Sequence, residues 1–267
     1  MGNQAEFAGE VIKGGKHMYS GGYMGKILRI DLSNQSAKEE VVSEELARNY
    51  LGGVGFAIKY LYDELRPGIS ALDKDNKLIF AVGPLTATGV SCTSRMAVAS
   101  KSPLTNAMGA AFVGGHFPAE MKRAGYDMII IEGKAEKPTY VAIEEGDVRF
   151  RSAEKLKGMI TTDTQLFIKE ELKDHNYRVA CIGPAGEGLV PIACIINERR
   201  AAGRKGLGAV MGSKNLKAIA VRGVKKPAIA DAAKFKEARQ AMNRAMKESE
   251  VLYPKFSKAG TPNIVSG

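Results

Sequence analysis

Two stretches of the sequence repeat the same order of features, and this repeat limits the possible folds more than any other pattern. The stretches cover residues 83–138 and 183–227, and each begins with Gly-Pro and ends with Lys-Pro. Within each stretch a strand, a glycine-rich turn, a short helix and an apolar strand follow in that order. We therefore predict a duplicated domain whose halves are related by a pseudo-twofold axis. The alternative is that strand–glycine–strand patterns recur by chance.

Strand and helix patterns both occur along the chain, so a domain that contains both kinds of element is expected. GKILRIDL (25–32) and KLIFAVG (77–83) have the apolar residues of strands, and residues 162–174 have the periodicity of an amphipathic helix. Ser43 is predicted to cap a helix that continues to about Tyr50. Each half is expected to be a β-rich sheet with helices packed against it.

Three segments are predicted along the chain. Residues 1–18 are polar and rich in glycine, which is typical of a disordered leader, and Met18 would then be the natural start. Residues 19–230 form the predicted main domain. A long charged helix begins at Asp231, so residues 231–267 are predicted to be the truncated start of a second, helical domain.

The composition limits the class of protein. A formal net charge of +10 favours an anionic partner, such as a nucleic acid, a membrane surface, a phosphorylated ligand or an acidic protein. Three cysteines without C-x-x-C spacing favour a reducing, cytoplasmic location and disfavour an iron–sulfur or zinc site made by this chain. The three histidines have no metal-ligand spacing, and no catalytic triad is indicated. No apolar run reaches the roughly 20 residues that a bilayer crossing needs.

The most basic stretch, NERRAAGRKGLGAVMGSKNLK, covers residues 197–217 and contains six cations, one carboxylate and four glycines. It lacks the spacing of a P-loop and of a Rossmann fingerprint. Its chemistry suits phosphate, because glycines let backbone amides approach an anion and arginine binds phosphate oxygens through a forked pair of hydrogen bonds. The alternative is a solvated basic turn. Lys214 and Lys217 are expected to be solvated, and Arg204 is left open between a ligand contact and a core ion pair.

A second glycine-rich basic stretch, residues 94–120, occupies the matching place in the first half. Arg95 opens an apolar strand there, where a charge is costly unless it is paired or meets a ligand. Gly114 and Gly115 precede a short helix and predict an anion-binding turn. Duplication would make the two stretches face each other, so an anionic ligand between them would contact both. The alternative for Arg95 is a strand-end position that reaches solvent or a carboxylate.

These motifs, taken in order, resemble one protein family. KLIFAVGPLTATG, the run from GGHFPAE to EGKAEKPTY, IGPAGEGLV and RRAAGRKGLGAVMGSKNLKAIAVRG are similar to the amino-terminal domain of tungsten-dependent aldehyde ferredoxin oxidoreductases, over residues 19–230. The resemblance implies a two-layer, duplicated α+β domain that forms the base for a tungsten bis-pterin cofactor. It also implies a magnesium ion that bridges the phosphates of the two pterins.

The resemblance implies which residues contact the cofactor, and it implies no catalytic residue in this chain. The implied cofactor-binding residues are Arg95, Phe112, Gly114, Arg200, Ala201 and Gly203. The backbone carbonyls of Phe112 and Ala201 are implied to bind the magnesium ion. Better-known family members have asparagine at the position of Phe112. The resemblance therefore leaves open a branch that acts on aromatic thioester substrates.

Most of what the resemblance implies for the whole enzyme lies outside this chain. The cluster cysteines and proton-handling residues of the family belong to later domains, so carboxy-terminal domains or a partner subunit are expected to complete the enzyme. The full enzyme would oxidise an aldehyde or related carbonyl at tungsten or molybdenum. Electrons would pass through a four-iron four-sulfur cluster, not ligated by this chain, to ferredoxin. A homodimer is left open, and neither a membrane nor a nucleic acid is an expected partner.

Two other functions are weighed against this one. The first is a basic module that binds phosphate or nucleic acid without catalysis. The net charge of +10 favours this module, whereas the absence of tryptophan and of aromatic residues between the basic ones counts against it. The second is a structural fragment that binds nothing without its partner domains.

Overall fold

Two six-stranded sheets organise the described part of the chain, residues 21–260 and residue 262 of a computed structural model. The first sheet contains β1 (Lys26–Asp31), β2 (Ser36–Val41), β3 (Leu78–Val82), β4 (Met96–Lys101), β5 (Met108–Val113) and β6 (Met128–Glu132). The second sheet contains β7 (Thr139–Glu144), β8 (Asp147–Ser152), β9 (Arg178–Cys181), β10 (Ile195–Asn197), β11 (Arg200–Ala202) and β12 (Leu216–Arg222). The leader predicted for residues 1–18 lies outside the described residues.

The strand order shows the duplication directly. The first sheet has the order β2-β1-β6-β3-β4-β5, and the second has the order β8-β7-β12-β9-β10-β11. In each sheet the strands that come first and last in the chain, β1 with β6 and β7 with β12, pair in parallel. Every other neighbouring pair is antiparallel. The predicted duplicated α+β fold is therefore confirmed. Each copy also includes the hairpin that precedes the repeat noticed in the sequence.

Helices pack on both sheets. The first half contains α1 (Glu44–Tyr50), α2 (Val54–Glu64) and α3 (Phe117–Arg123). The second half contains a 3-10 turn (Glu154–Leu156), α4 (Thr161–Glu171), α5 (Pro184–Glu187) and α6 (Leu207–Ser213). Ser43 caps α1 as predicted, because its Oγ accepts the N–H of Leu46 at 3.0 Å.

Three hydrophobic cores hold these elements together. The central core contains apolar side chains of both sheets together with those of α3 and α6. A second core lies between the first sheet and helices α1 and α2, and a third lies between the second sheet and α4. The inner strands are buried on both faces, so their sequences are continuous apolar runs such as LIFAV in β3.

Three further helical elements follow β12: α7 (Ala232–Glu248), a π-helical turn (Leu252–Phe256) and α8 (Ser257–Ala259). Asp231 caps α7 by accepting the N–H of Lys234 at 2.9 Å. No residue of α7 is buried. The domain boundary at Asp231 stays a prediction. Among the helices described here, none combines the length and the apolar character that crossing a membrane would require.

Candidate functional site

An open cleft of about 1260 Å³ lies where the edges of the two sheets meet. β5 ends the first sheet and β11 ends the second, and these two strands contact each other. The cleft is lined by the segment before β4, the end of β5 and the start of α3 from the first half. The β10–β11 turn lines it from the second half. The two glycine-rich basic stretches of the sequence therefore share one cleft.

Five of the six residues predicted to contact a cofactor line this cleft, namely Arg95, Phe112, Gly114, Arg200 and Ala201. Arg95 is exposed and directly precedes β4, which begins at Met96, so Arg95 does not open the strand as predicted. Gly203 is not part of the lining. Gly203 is exposed, and a Cβ added to it would lie 3.7 Å from both Cys194 Sγ and Ala201 Cβ.

Arginines dominate the charge of the cleft. Its lining includes five arginines and one carboxylate, namely Arg95, Arg123, Arg178, Arg199, Arg200 and Glu198. Arg178 Nη1 lies 3.5 Å from Glu198 Oε1, and Arg123 Nη1 lies 3.3 Å from Glu120 Oε2. The other three arginines form no ion pair with any residue in the range 21–260. This excess of unpaired positive charge favours an anionic ligand.

The Gly-Gly turn at 114–115 approaches the second half closely. Gly115 has a φ of +97°, and a Cβ on this residue would lie 2.4 Å from Asn197 Oδ1. Glu198 Oε2 accepts the N–H of His116 at 3.1 Å. This amide at the start of α3 is therefore already bonded to a protein carboxylate.

The β10–β11 hairpin presents Arg200 and Ala201 on an exposed edge strand. Its two-residue turn consists of Glu198 and Arg199, and Glu198 has a left-handed backbone with φ +53°. Gln165 of α4 fixes this turn, because its Oε1 accepts the N–H of Glu198 at 2.7 Å. The hairpin is thereby attached to the outer helix of the second half.

Phe112 presents an exposed aromatic ring to the cleft. The residue is 54% exposed and lies opposite Ala97 in the β4–β5 ladder. Because β5 and β11 are edge strands, Phe112 and Ala201 both lie on strands that have a ladder partner on one side only. An aromatic ring beside several arginines suits a ligand that has a planar apolar part and anionic groups.

Two lysines of the basic stretch are buried, so the expectation that they are solvated was wrong. Lys214 is fully buried, and its Nζ donates to the carbonyls of Lys74 and Gly133, at 3.0 Å each. This burial lowers the pKa of Lys214 to about 8. Lys217 is 3% exposed and pairs with Glu187. α6 and β12 carry both side chains into the interior, where carbonyls and one carboxylate bind the ammonium groups.

Sequence reasoning missed three arginines of the cleft. Arg199 lies inside the predicted basic stretch, so the sequence showed its charge but not its place in the lining of the cleft. Arg123 ends α3 and Arg178 begins β9, and neither has a local motif that indicates a site.

For metal binding, residues 21–260 and 262 contain no group of three or more His, Cys, Asp or Glu that could hold an ion.

Comparison with known proteins defines the class. Residues 27–223 match the family described as "Aldehyde ferredoxin oxidoreductase, N-terminal domain". The chain belongs to the aldehyde ferredoxin oxidoreductase family and corresponds to its N-terminal domain, as the motifs indicated.

Curated relatives are named tungsten-containing aldehyde ferredoxin oxidoreductases. The one from Pyrococcus horikoshii is 46% identical over 249 residues, which cover 92% of this chain and 41% of the relative. A second relative, the WOR-like subunit of aliphatic sulfonate oxidoreductase from Pyrococcus furiosus, is 36% identical over 217 residues, covering 75% of this chain and 34% of the relative. The chain thus spans about 41% of the length of the aldehyde ferredoxin oxidoreductases that it matches.

A solved structure has the same fold. It is the active site complex BamBC of benzoyl coenzyme A reductase in complex with 1,5 dienoyl-CoA, with a TM-score of 0.85 and 36% sequence identity. The superposition covers 86% of this chain and 35% of that chain. The similarity therefore covers most of this chain.

Proposed function

We propose that this chain is the cofactor-base domain of a tungsten bis-pterin oxidoreductase. The observation that carries the proposal is the cleft itself, in which the two basic stretches meet and three arginines are without an ion pair in the described chain. Arg95 and Arg200 would bind the pterin phosphates. The backbone of Gly114 and Ala201 would form walls of the cleft, and Gly203 would support Ala201 from beside the cleft.

The donor set of the cleft fits the proposed group. Guanidinium groups bind phosphate oxygens through paired hydrogen bonds, and the exposed ring of Phe112 offers a surface to a planar heterocycle. Magnesium prefers oxygen ligands and often bridges phosphates, so the carbonyls of Phe112 and Ala201 on the two edge strands are suitable candidates for it. When bound, the tungsten cofactor would supply the oxidation–reduction chemistry. The residues of this chain would bind and orient it.

The activity of the whole enzyme is part of the same proposal. The chain spans 41% of its relatives' length, so carboxy-terminal domains or a partner subunit would complete the cofactor site. We propose an aldehyde or related carbonyl as substrate, tungsten rather than molybdenum as metal, and ferredoxin as electron acceptor. A four-iron four-sulfur cluster would be ligated by the remaining domains. A cytoplasmic location and the division into residues 19–230 and 231–267 also belong to the proposal.

A branch that acts on aromatic thioesters is the second candidate. Phe112 supports it, because an exposed aromatic ring stands where better-known family members have asparagine. The similarity to a benzoyl coenzyme A reductase complex supports it as well. The relatives named aldehyde ferredoxin oxidoreductases favour the first candidate. Turnover of the whole enzyme with aldehydes and with aromatic thioesters, measured side by side, decides between the two.

Replacing Arg200 tests the cofactor site. In the whole enzyme purified without oxygen, Arg200→Ala should lower the tungsten content and the pterin fluorescence, because a phosphate group loses its guanidinium partner. Arg204→Ala is the matched control: Arg204 belongs to the same basic stretch and is exposed, but it lies outside the cleft lining. Normal metal and pterin content in Arg200→Ala would contradict the assignment.

A further inference from the structure

Glu198 connects the two halves at the cleft. Among the described residues it is the one carboxylate that lines the cleft, and five arginines belong to the same lining. Its Oε2 accepts the N–H of His116 from the first half at 3.1 Å. Its Oε1 lies 3.5 Å from Arg178 Nη1 of the second half. The side chain of Glu198 thus contacts both the segment that follows the Gly-Gly turn and Arg178, the first residue of β9.

The backbone of Glu198 is held in a costly conformation. Its φ of +53° is left-handed, a region that costs an L-residue roughly 1–2 kcal/mol and that glycine, asparagine and aspartate adopt more readily. Gln165 is only 7% exposed and holds the turn by accepting the N–H of Glu198. The two-residue hairpin turn itself requires a positive φ at this position, so the conformation belongs to the turn.

A carboxylate in an anion-binding cleft opposes the ligand by its charge, since like charges repel. The contacts around Gly115 show how closely the two segments approach: a Cβ on Gly115 would lie 2.4 Å from Asn197 Oδ1 and 3.1 Å from Glu198 Oε2. The Gly-Gly turn and the β10–β11 hairpin meet through these atoms, and the hydrogen bond from His116 fixes the distance between them.

We propose that Glu198 is a positioning residue that sets the spacing between the Gly-Gly turn at 114–115 and the Arg199–Arg200 hairpin. This inference rests on the proposed function of the cleft as a site for an anionic cofactor. Glu198 does not bind the anion. It holds the first-half loop against the second-half arginines, so that groups from both halves reach one ligand.

Two substitutions remove the same charge but differ in the hydrogen bond. Glu198→Gln keeps a side-chain oxygen that can accept the N–H of His116, whereas Glu198→Ala removes that acceptor. The affinity of each protein for pyrophosphate is measured by calorimetry at one fixed, low salt concentration. Glu198→Gln should bind as tightly as the wild type or more tightly, because a repelling charge is gone. Glu198→Ala should bind about fivefold more weakly than Glu198→Gln, as expected for one lost hydrogen bond.

Hydrogen exchange provides a measurement that does not depend on a ligand. Amides in residues 113–119 should exchange faster in Glu198→Ala and at nearly the wild-type rate in Glu198→Gln. Glu198→Gly is the second variant, because glycine accepts the left-handed backbone and keeps the chain folded if the alanine variant unfolds. It should lose the same protection at residues 113–119 and bind pyrophosphate more weakly than Glu198→Gln.

The outcomes separate this inference from the proposed function. If the alanine and glutamine variants bind pyrophosphate equally tightly, Glu198 acts by its charge alone and the positioning role is overturned. Unchanged exchange at residues 113–119 in Glu198→Ala also overturns it, even when the wild type binds the anion. A wild-type protein that fails to bind pyrophosphate contradicts the anion-binding function itself. The exchange rates then still decide whether Glu198 fixes the loop.

Discussion

Replacing Gly115 by alanine tests whether the two halves meet as closely as the structure shows. Gly115 has a φ of +97°, and a new Cβ would lie 2.4 Å from Asn197 Oδ1 and 3.1 Å from Glu198 Oε2. The first distance is shorter than any contact that a Cβ atom can make, and the second is a tight contact. Asn197 is only 1% exposed, so its amide cannot move aside without disturbing the packing around β10.

Two separate costs contribute to the expected loss of stability. A left-handed backbone costs an alanine roughly 1–2 kcal/mol relative to glycine, and overpacking in a close-packed region costs about 1–3 kcal/mol. Gly115→Ala should therefore lower the free energy of unfolding by about 2–5 kcal/mol. Gly68→Ala is the matched control, because Gly68 has a φ of +82° and no atom within 4 Å of the added Cβ. It carries the backbone cost alone.

Urea denaturation of the two variants and the wild type, followed by circular dichroism, measures the difference. Gly115→Ala should lose more stability than Gly68→Ala by the overpacking cost, about 1–3 kcal/mol. Equal losses would show that Gly115 is needed only for its backbone conformation, and the argument from close contact would be refuted. Weaker pyrophosphate binding by Gly115→Ala, and not by Gly68→Ala, would connect the contact to the cleft.

Two further predictions concern the buried lysine and the alternative function. Because folding lowers the pKa of Lys214 from 10.5 to about 8, the unfolded chain holds this proton more tightly, and stability should rise with pH between these values. Denaturation at pH 8 and pH 10.5 should show a gain of about 3 kcal/mol from this group, and Lys214→Met should lack it. A labelled single-stranded oligonucleotide should show no micromolar binding, whereas salt-sensitive binding would favour the nucleic-acid module.

Much of the fold could be predicted because it follows from local patterns. Apolar runs indicated the inner strands, Ser43 marked the start of α1, and the repeat of Gly-Pro and Lys-Pro stretches indicated duplication. The hairpins β1–β2 and β7–β8 were harder to recognise as members of the repeat. No residue of β2 or β8 is buried, so their sequences are free to diverge.

The candidate site could be predicted only in part. The family motifs indicated Arg95 and Arg200, and the structure places both in the cleft lining. Arg123 and Arg178 were missed, because they lie outside the two basic stretches and reach the cleft through the packing of α3 and β9. Their contribution to cofactor binding, like that of Arg95 and Arg200, stays a prediction.

The sequence by itself determined the family, the duplication and the two stretches that carry the positive charge, since these depend on residue order alone. Only the tertiary structure decided where each charge lies. Lys214, Lys217 and Arg200 belong to the same glycine-rich basic stretch. Yet the two lysines, one just after α6 and one in β12, are buried, whereas the β10–β11 edge exposes the arginine. A lysine can enter the interior when backbone carbonyls or a carboxylate bind its ammonium group, and those partners come from residues distant in the chain.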